Sequence, residues 1–306
     1  MATTTYLFDP ATDIPSLAGK VILITGANTG LGKQTAWELS KHSPAHIYIG
    51  ARSPDKGAAA LEEVKTVASE GTKITLLQID LGSFDSIRSA AKEFLAKENR
   101  LDVLFLNAGL MGHPPALTKQ GHEMHMGTNH VGHALLFKLL QPVLAKTAAS
   151  SADVRVISVA SNGVRYVPDG IEFDTLKSAT SSASLPIRYC QSKLAALLYA
   201  KQIAKHHPEF KSIVINPGDV KTELFSREPG DDHMRQLQEN VVPKVTIPLE
   251  EGVKNHLWAA TSPDIKTATY YQPVGIAETP EGPCADDAMA EKLWEWTKQE
   301  LKDQES

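Results

Sequence analysis

Tyr189 and Lys193 stand four residues apart in the run Tyr189-Cys190-Gln191-Ser192-Lys193, just ahead of the apolar stretch Leu194-Ala195-Ala196-Leu197-Leu198. On a helix, residues at this spacing share a face, so the lysine ammonium can lie near the phenol. A positive charge beside a phenol favours phenolate and lowers a pKa that starts at about 10. Such a tyrosine can exchange a proton near neutral pH. The spacing alone is common, and a helix with a solvated lysine explains it equally well. The chemistry needs a cofactor and polar partners from the rest of the chain.

The glycine-rich segment supplies a cofactor site. Residues 20–25, KVILIT, read as a strand buried on both faces. Gly26-Ala27-Asn28-Thr29-Gly30-Leu31-Gly32 follows, and a helical pattern opens after it. A strand entering a glycine-rich turn at a helix N-terminus suits a dinucleotide phosphate, because the backbone can approach closely and its N–H groups face the anion. A P-loop is the competing reading, but Ala27 stands where its first glycine belongs and Gln34 replaces its Ser or Thr. Residues 46–51, HIYIGA, read as the second strand, with Arg52 just after it. No acid stands there to bind a ribose 2′-hydroxyl, whereas Arg52 can bind a 2′-phosphate. NADP(H) is therefore the expected cofactor.

These residues need elements to position them. Ser53-Pro54 reads as a helix start, with Gly71 as its end, and Ser83 caps a further helix. Strands are expected at 73–80, 101–107, 154–159, 211–216 and 268–272. A long helix over 119–146, the Tyr189 helix running to about 206, a helix over 250–260 and a closing helix over 286–302 lie among them. That alternation predicts an α/β fold: one Rossmann-type, doubly wound parallel sheet with helices on both faces. Ligands then gather at the carboxyl ends of the strands, near Gly26, Arg52, Asp80 and Asn107. Residues 1–306 read as a single NADP-binding domain, with a lid at about 223–249 and a C-terminal extension at about 263–306.

The histidines His122, His125, His130 and His133 invite a zinc reading, but no cysteine or acid cluster accompanies them, and packed or solvated helix positions are expected instead. Composition is that of a globular chain, 42% hydrophobic and 22% charged. A net charge of -5 gives no reason to expect nucleic acid or an anionic membrane as partner. No apolar span is long enough for an integral membrane segment. Residues 1–17 lack signal-peptide character, and only Cys190 and Cys284 are present, so a cytoplasmic setting is expected.

Taken together, the chain resembles the short-chain dehydrogenase/reductase family over residues 17–222, and more loosely to the end. The resemblance rests on Thr25-Gly26-x-x-x-Gly30-x-Gly32, Asp80, Asn107-Ala108-Gly109, Asn129, Ser161, Tyr189-x-x-x-Lys193 and Pro217-Gly218, in the family's order. The run TGANTGLGK, the segment Asn129-His130-x-Gly132-His133 and the Tyr189–Lys193 run resemble the retinol-dehydrogenase-like reductases and their fungal relatives. The resemblance implies that Tyr189 is the general acid in carbonyl reduction and the base in alcohol oxidation. Lys193 would lower its pKa and bind the nicotinamide ribose, Ser161 would hydrogen-bond the substrate carbonyl, and Asn129 would hold a water in a proton relay. Gly26, Asn28, Thr29, Gly30, Leu31 and Gly32 would cradle the phosphates, with Asp80 and Leu81 at the adenine. Asn107, Ala108 and Gly109 would line the cleft, and Pro217, Gly218, Val220 and Thr222 would meet the carboxamide.

Two features depart from the family's pattern. The interval from Ser161 to Tyr189 is wider than its commonest spacing, which enlarges the loop at 162–185, and Asp219 puts a charge beside the nicotinamide pocket. The activity implied is ketone reduction or alcohol oxidation, with a non-redox cyclase, isomerase or regulatory sensor as the alternative. Leu224, Phe225 and the stretch 241–249 suggest an apolar ketone or alcohol substrate. The resemblance also admits a homodimer.

Overall fold

The computed structural model describes residues 8–150, 153–224, 230–302 and 304. Eight strands form one sheet: β1 (Val21–Thr25), β2 (His46–Ala51), β3 (Lys73–Gln78), β4 (Val103–Leu106), β5 (Arg155–Val159), β6 (Lys211–Ile215), β7 (Tyr270–Gln272) and β8 (Ile276–Glu278). Their order is β3-β2-β1-β4-β5-β6-β7-β8. Pairing is parallel from β3 through β7 and antiparallel only between β7 and β8.

Every residue of β1 is buried, because helices cover both faces. Successive side chains point to opposite faces, and the core divides accordingly. Leu23, Tyr48, Leu104, Val156 and Val214 enter one cluster with Phe94, Leu135 and Leu198. Ile22, Ile24, Ile47, Ile49, Phe105 and Ile157 enter the other with Leu39 and Trp258. The strand order reverses between β1 and β4. A crevice opens at such a switch point beyond the carboxyl ends of the strands.

Four expectations need correction. The helix after β2 is Pro54–Lys65, so it stops well before Gly71. The helix expected over 119–146 starts at Met124, passes through a π-helical turn at Gly127–Val131 and continues as Gly132–Ser150. Glycine is needed there: a Cβ on Gly132 would lie 2.2 Å from the Leu81 carbonyl oxygen. β8 was not expected; it pairs with β7 through a short turn in which Gly275 has a φ of 68°. The 162–185 segment is not a plain loop. It contains short helical turns at Asn162–Tyr166 and Phe173–Thr175 and buries Val164, Val167, Ile171 and Leu176.

The closing helix, Asp287–Glu300, packs on the Leu185–His206 helix. Leu293 is fully buried, while Trp294 is half-buried and stacks on His206 at 4.6 Å between ring centroids. His130 Nε2 meets Thr297 Oγ1 at 2.8 Å, and Lys138 donates to the Leu301 carbonyl at 2.7 Å. No helix among the described residues is long and apolar enough to cross a membrane. Leu293→Ala should leave a cavity in this contact and destabilise the protein by about 2–5 kcal/mol. Urea unfolding checks this; an unchanged midpoint would contradict the packing described.

Candidate active site

The crevice is built from the end of β1 outward. Thr25 Oγ1 accepts from the backbone N–H groups of Asn107 (2.9 Å) and Ala108 (3.0 Å), which ties β1 to the end of β4. Asn107 Nδ2 donates to the Thr25 carbonyl at 2.7 Å, and its Oδ1 meets His256 Nε2 at 3.1 Å. Burial drives the His256 pKa down to about 3, so the ring is neutral and donates its Nε2 proton to Asn107. The glycine turn above this network is tightly packed. A Cβ on Gly26, whose φ is 66°, would lie 2.8 Å from the Ala108 Cα, and one on Gly32 would lie 2.5 Å from the Gly26 carbonyl oxygen. Thr29 precedes the Gly30–Ser40 helix without a side-chain cap, which leaves first-turn N–H groups for an anion. This cradle fits a dinucleotide phosphate.

At the adenosine end, Arg52 is exposed and lines the cleft. Lys56 lines it too and lies 3.5 Å from Glu223. The sequence reading missed Lys56, although its spacing from Arg52 at the Pro54 helix start carried the signal. Asp80 and Leu81 line the opposite wall, and Asp80 Oδ1 accepts from Gly82 N at 3.0 Å.

Tyr189 and Lys193 sit at the other end on the Leu185–His206 helix, together with Ser161 at the end of β5. Lys193 Nζ lies 5.7 Å from the Tyr189 ring centroid and donates to the Val159 carbonyl at 2.8 Å. Burial lowers the Lys193 pKa to about 8. The Tyr189 phenol shifts in the direction opposite to the sequence argument. Burial pushes its pKa well above the usual value, the Ser161 hydroxyl pulls it back, and Cys190 and Asp219 add to the rise. A neighbouring ammonium alone would lower the pKa, and the loss of water around the phenol reverses that.

Every residue expected to bind cofactor lines this one cleft, from Gly26 and Asn28 through Arg52, Leu81 and Gly109 to Pro217, Val220 and Thr222. Asn129 does not. It is buried one layer behind, where its Oδ1 accepts from Leu110 N (2.9 Å) and its Nδ2 donates to the Leu110 carbonyl (3.0 Å) and Ser192 Oγ (2.9 Å). Both of its amide N–H groups are thus engaged. Its backbone carbonyl accepts from His133 Nδ1 at 2.9 Å. The His133 pKa falls to about 4, chiefly through burial, so the ring is neutral and its Nε2 accepts from the Thr25 hydroxyl at 2.9 Å.

The other histidines have separate partners: His122 meets Glu300, His125 meets Glu123 and His130 meets Thr297. The 241–249 stretch does not roof the cleft. Ile247 instead pairs with Val220 from behind, and Val241 and Val245 are exposed. Leu224 lines the cleft, whereas Phe225 lies outside the described residues.

This geometry makes a glycine-cradled cleft that ends in a Ser–Tyr–Lys group. The short chain dehydrogenase family matches residues 20–232, and the chain belongs to that family. The chain is 35% identical over 311 residues to the short-chain dehydrogenase/reductase drtF of Aspergillus calidoustus, covering 95% of this chain and 96% of that protein. Human retinol dehydrogenase 12 is 40% identical over 210 residues, 68% of this chain and 64% of its own length. A solved Mycobacterium paratuberculosis structure superposes with a TM-score of 0.74 at 27% identity, covering 96% of this chain and 97% of its own. The protein is an oxidoreductase of this family, and solved structures that share its fold hold NADP or NADH.

The buried ammonium has a measurable consequence. The folded pKa of Lys193, about 8, lies below the 10.5 of a free lysine. Between those values the unfolded chain binds the extra proton, so this group makes stability rise with pH. The burial penalty is full below about pH 8 and relieved by about pH 10.5, and is worth on the order of 3 kcal/mol. Lys193→Met removes it. The stability of the variant relative to wild type should be greatest near pH 7 and decline towards pH 10, read by urea unfolding at each pH. A difference flat across that range would contradict the depressed pKa.

Proposed function

We propose that the protein is an NADP(H)-dependent ketoreductase or alcohol dehydrogenase acting on an apolar carbonyl or secondary alcohol. The observation that carries this reading is the group of buried Tyr189 and Lys193 with half-buried Ser161 at one end of a glycine-cradled cleft whose other end presents Arg52 and Lys56. The cofactor, when bound, supplies or accepts a hydride. The glycine turn and the Gly30–Ser40 helix N-terminus hold its diphosphate, and Arg52 with Lys56 holds a 2′-phosphate.

Tyr189 holds the proton given to the substrate oxygen in reduction and takes it back in oxidation. Burial keeps the phenol protonated, which suits a proton donor. Ser161 Oγ and Tyr189 Oη stabilise the developing oxyanion. Lys193 carries three N–H donors and gives one to Val159, which leaves two for the ribose hydroxyls. Asn129 positions Ser192, and hence the turn between Tyr189 and Lys193, through its amide. Its carbonyl can accept from a relay water. Glu223 and Leu224 form a substrate-side wall, and residues 263–302 extend a single catalytic domain.

Tyr189→Phe should cut turnover by about a hundredfold to ten-thousandfold while NADPH binding changes little. Nicotinamide absorbance with a ketone panel, alongside cofactor titration, reads both; retained turnover would remove Tyr189 from this role. Arg52→Ala should weaken NADPH by about tenfold or more and leave NADH nearly unchanged. Equal weakening of the two would contradict recognition of a 2′-phosphate.

A further inference from the structure

The nicotinamide-side loop carries a carboxylate that the proton transfer does not require. Gly218, with a φ of 83°, turns the chain after β6. Beyond it the chain is clamped: Ile247 N donates to the Asp219 carbonyl at 2.7 Å, and Lys221 N donates to the Ile247 carbonyl at 3.1 Å. Val220 and Ile247 pair as a parallel bridge. Side chains alternate along such a segment. Val220 is buried against Gly252, where an added Cβ would lie 2.2 Å from a Val220 methyl. Asp219 turns the other way and lines the cleft beside Ser161, Tyr189 and Lys193.

The Asp219 carboxylate is half-buried, and no cation or hydrogen-bond donor among the described residues meets it. Burial raises its pKa, and its charge reaches the Tyr189 phenol. A carboxylate partly removed from water without a partner is costly, and a ligand that brings a donor offsets that cost. A ligand that brings a second negative charge increases it. Leu110 and Leu224 supply apolar surface in the same cleft.

We infer that Asp219 is a specificity residue that selects an apolar ketone or secondary alcohol bearing a hydroxyl or amino hydrogen-bond donor, and that rejects carboxylate substrates. The inference rests on the reading of Tyr189 and Ser161 as a carbonyl-reducing site.

The test uses ketones on one apolar skeleton that differ only in a substituent, hydroxymethyl, ethyl or carboxylate, placed at several distances from the carbonyl. kcat/KM is measured for wild type, Asp219→Asn and Asp219→Leu, with NADPH binding measured in parallel. At the best distance, wild type should prefer hydroxymethyl over ethyl by about tenfold and disfavour the carboxylate further. Asp219→Leu should prefer the ethyl ketone. Asp219→Asn should keep the hydroxymethyl preference and gain about tenfold on the carboxylate. NADPH affinity should hold within about twofold throughout, which also reports folding; if Asp219→Leu fails that check, the near-isosteric Asp219→Asn decides alone. Wild type turning over all three within about twofold, or an order unchanged in the variants, would overturn the role of Asp219 and leave the carbonyl-reducing reading standing. Wild type that binds NADPH and reduces none of the ketones would overturn both.

Discussion

The site depends on a buried cation. Lys193 has 4% of its surface exposed, and among the described residues its ammonium has one acceptor, the Val159 carbonyl at the end of β5. Burying an ammonium with so few partners disfavours the charged form, and the resulting pKa near 8 shows how far the balance has moved. The fold tolerates this by fixing everything around it. The Leu185–His206 helix is buried along most of its length, and β5 holds the acceptor in place. Tyr189 sits in the same dry environment and is kept neutral by it. Two groups that would be a solvated lysine and an ordinary tyrosine on a surface helix become, through burial, an ammonium with a lowered pKa and a phenol held neutral.

Beneath the cleft, neutral histidines join the glycine turn to the elements around Tyr189 and Lys193. His256 braces Asn107, which holds the carbonyl at the base of the glycine turn. His133 bridges the Thr25 hydroxyl and the Asn129 carbonyl, so the end of β1 and the π-helical turn share one ring. Burial keeps both rings uncharged, and a neutral imidazole can donate from one nitrogen and accept at the other. Each ring of the histidine-rich segment makes a specific contact: His122 with Glu300, His125 with Glu123, His130 with Thr297 and His133 with the Asn129 carbonyl.

Much of this was legible in the sequence because it depends on local pattern. The β-branched run of β1, the glycine spacing and the Tyr189–Lys193 interval each encode their geometry over a few residues. Features set by distant contacts were not legible. The π-helical turn at Asn129 is one such feature, and the close approach of the Leu81 carbonyl to Gly132 just after it is another. β8 is three residues long and exists through its pairing with β7. The direction of Asp219 follows from Ile247 bridging Val220, which lies far along the chain. The phenol shift was misread because spacing reports a neighbouring charge but not the loss of water around it.

The central claim is that one phenol and one hydroxyl, positioned by the buried lysine, handle the oxygen of the reacting group. A crystal structure with NADP+ and a product alcohol bound tests it most directly. The alcohol oxygen should lie within about 2.6–3.2 Å of Tyr189 Oη and at hydrogen-bond distance from Ser161 Oγ, with Lys193 Nζ on the ribose hydroxyls. A product oxygen directed away from both Tyr189 and Ser161 would contradict the claim.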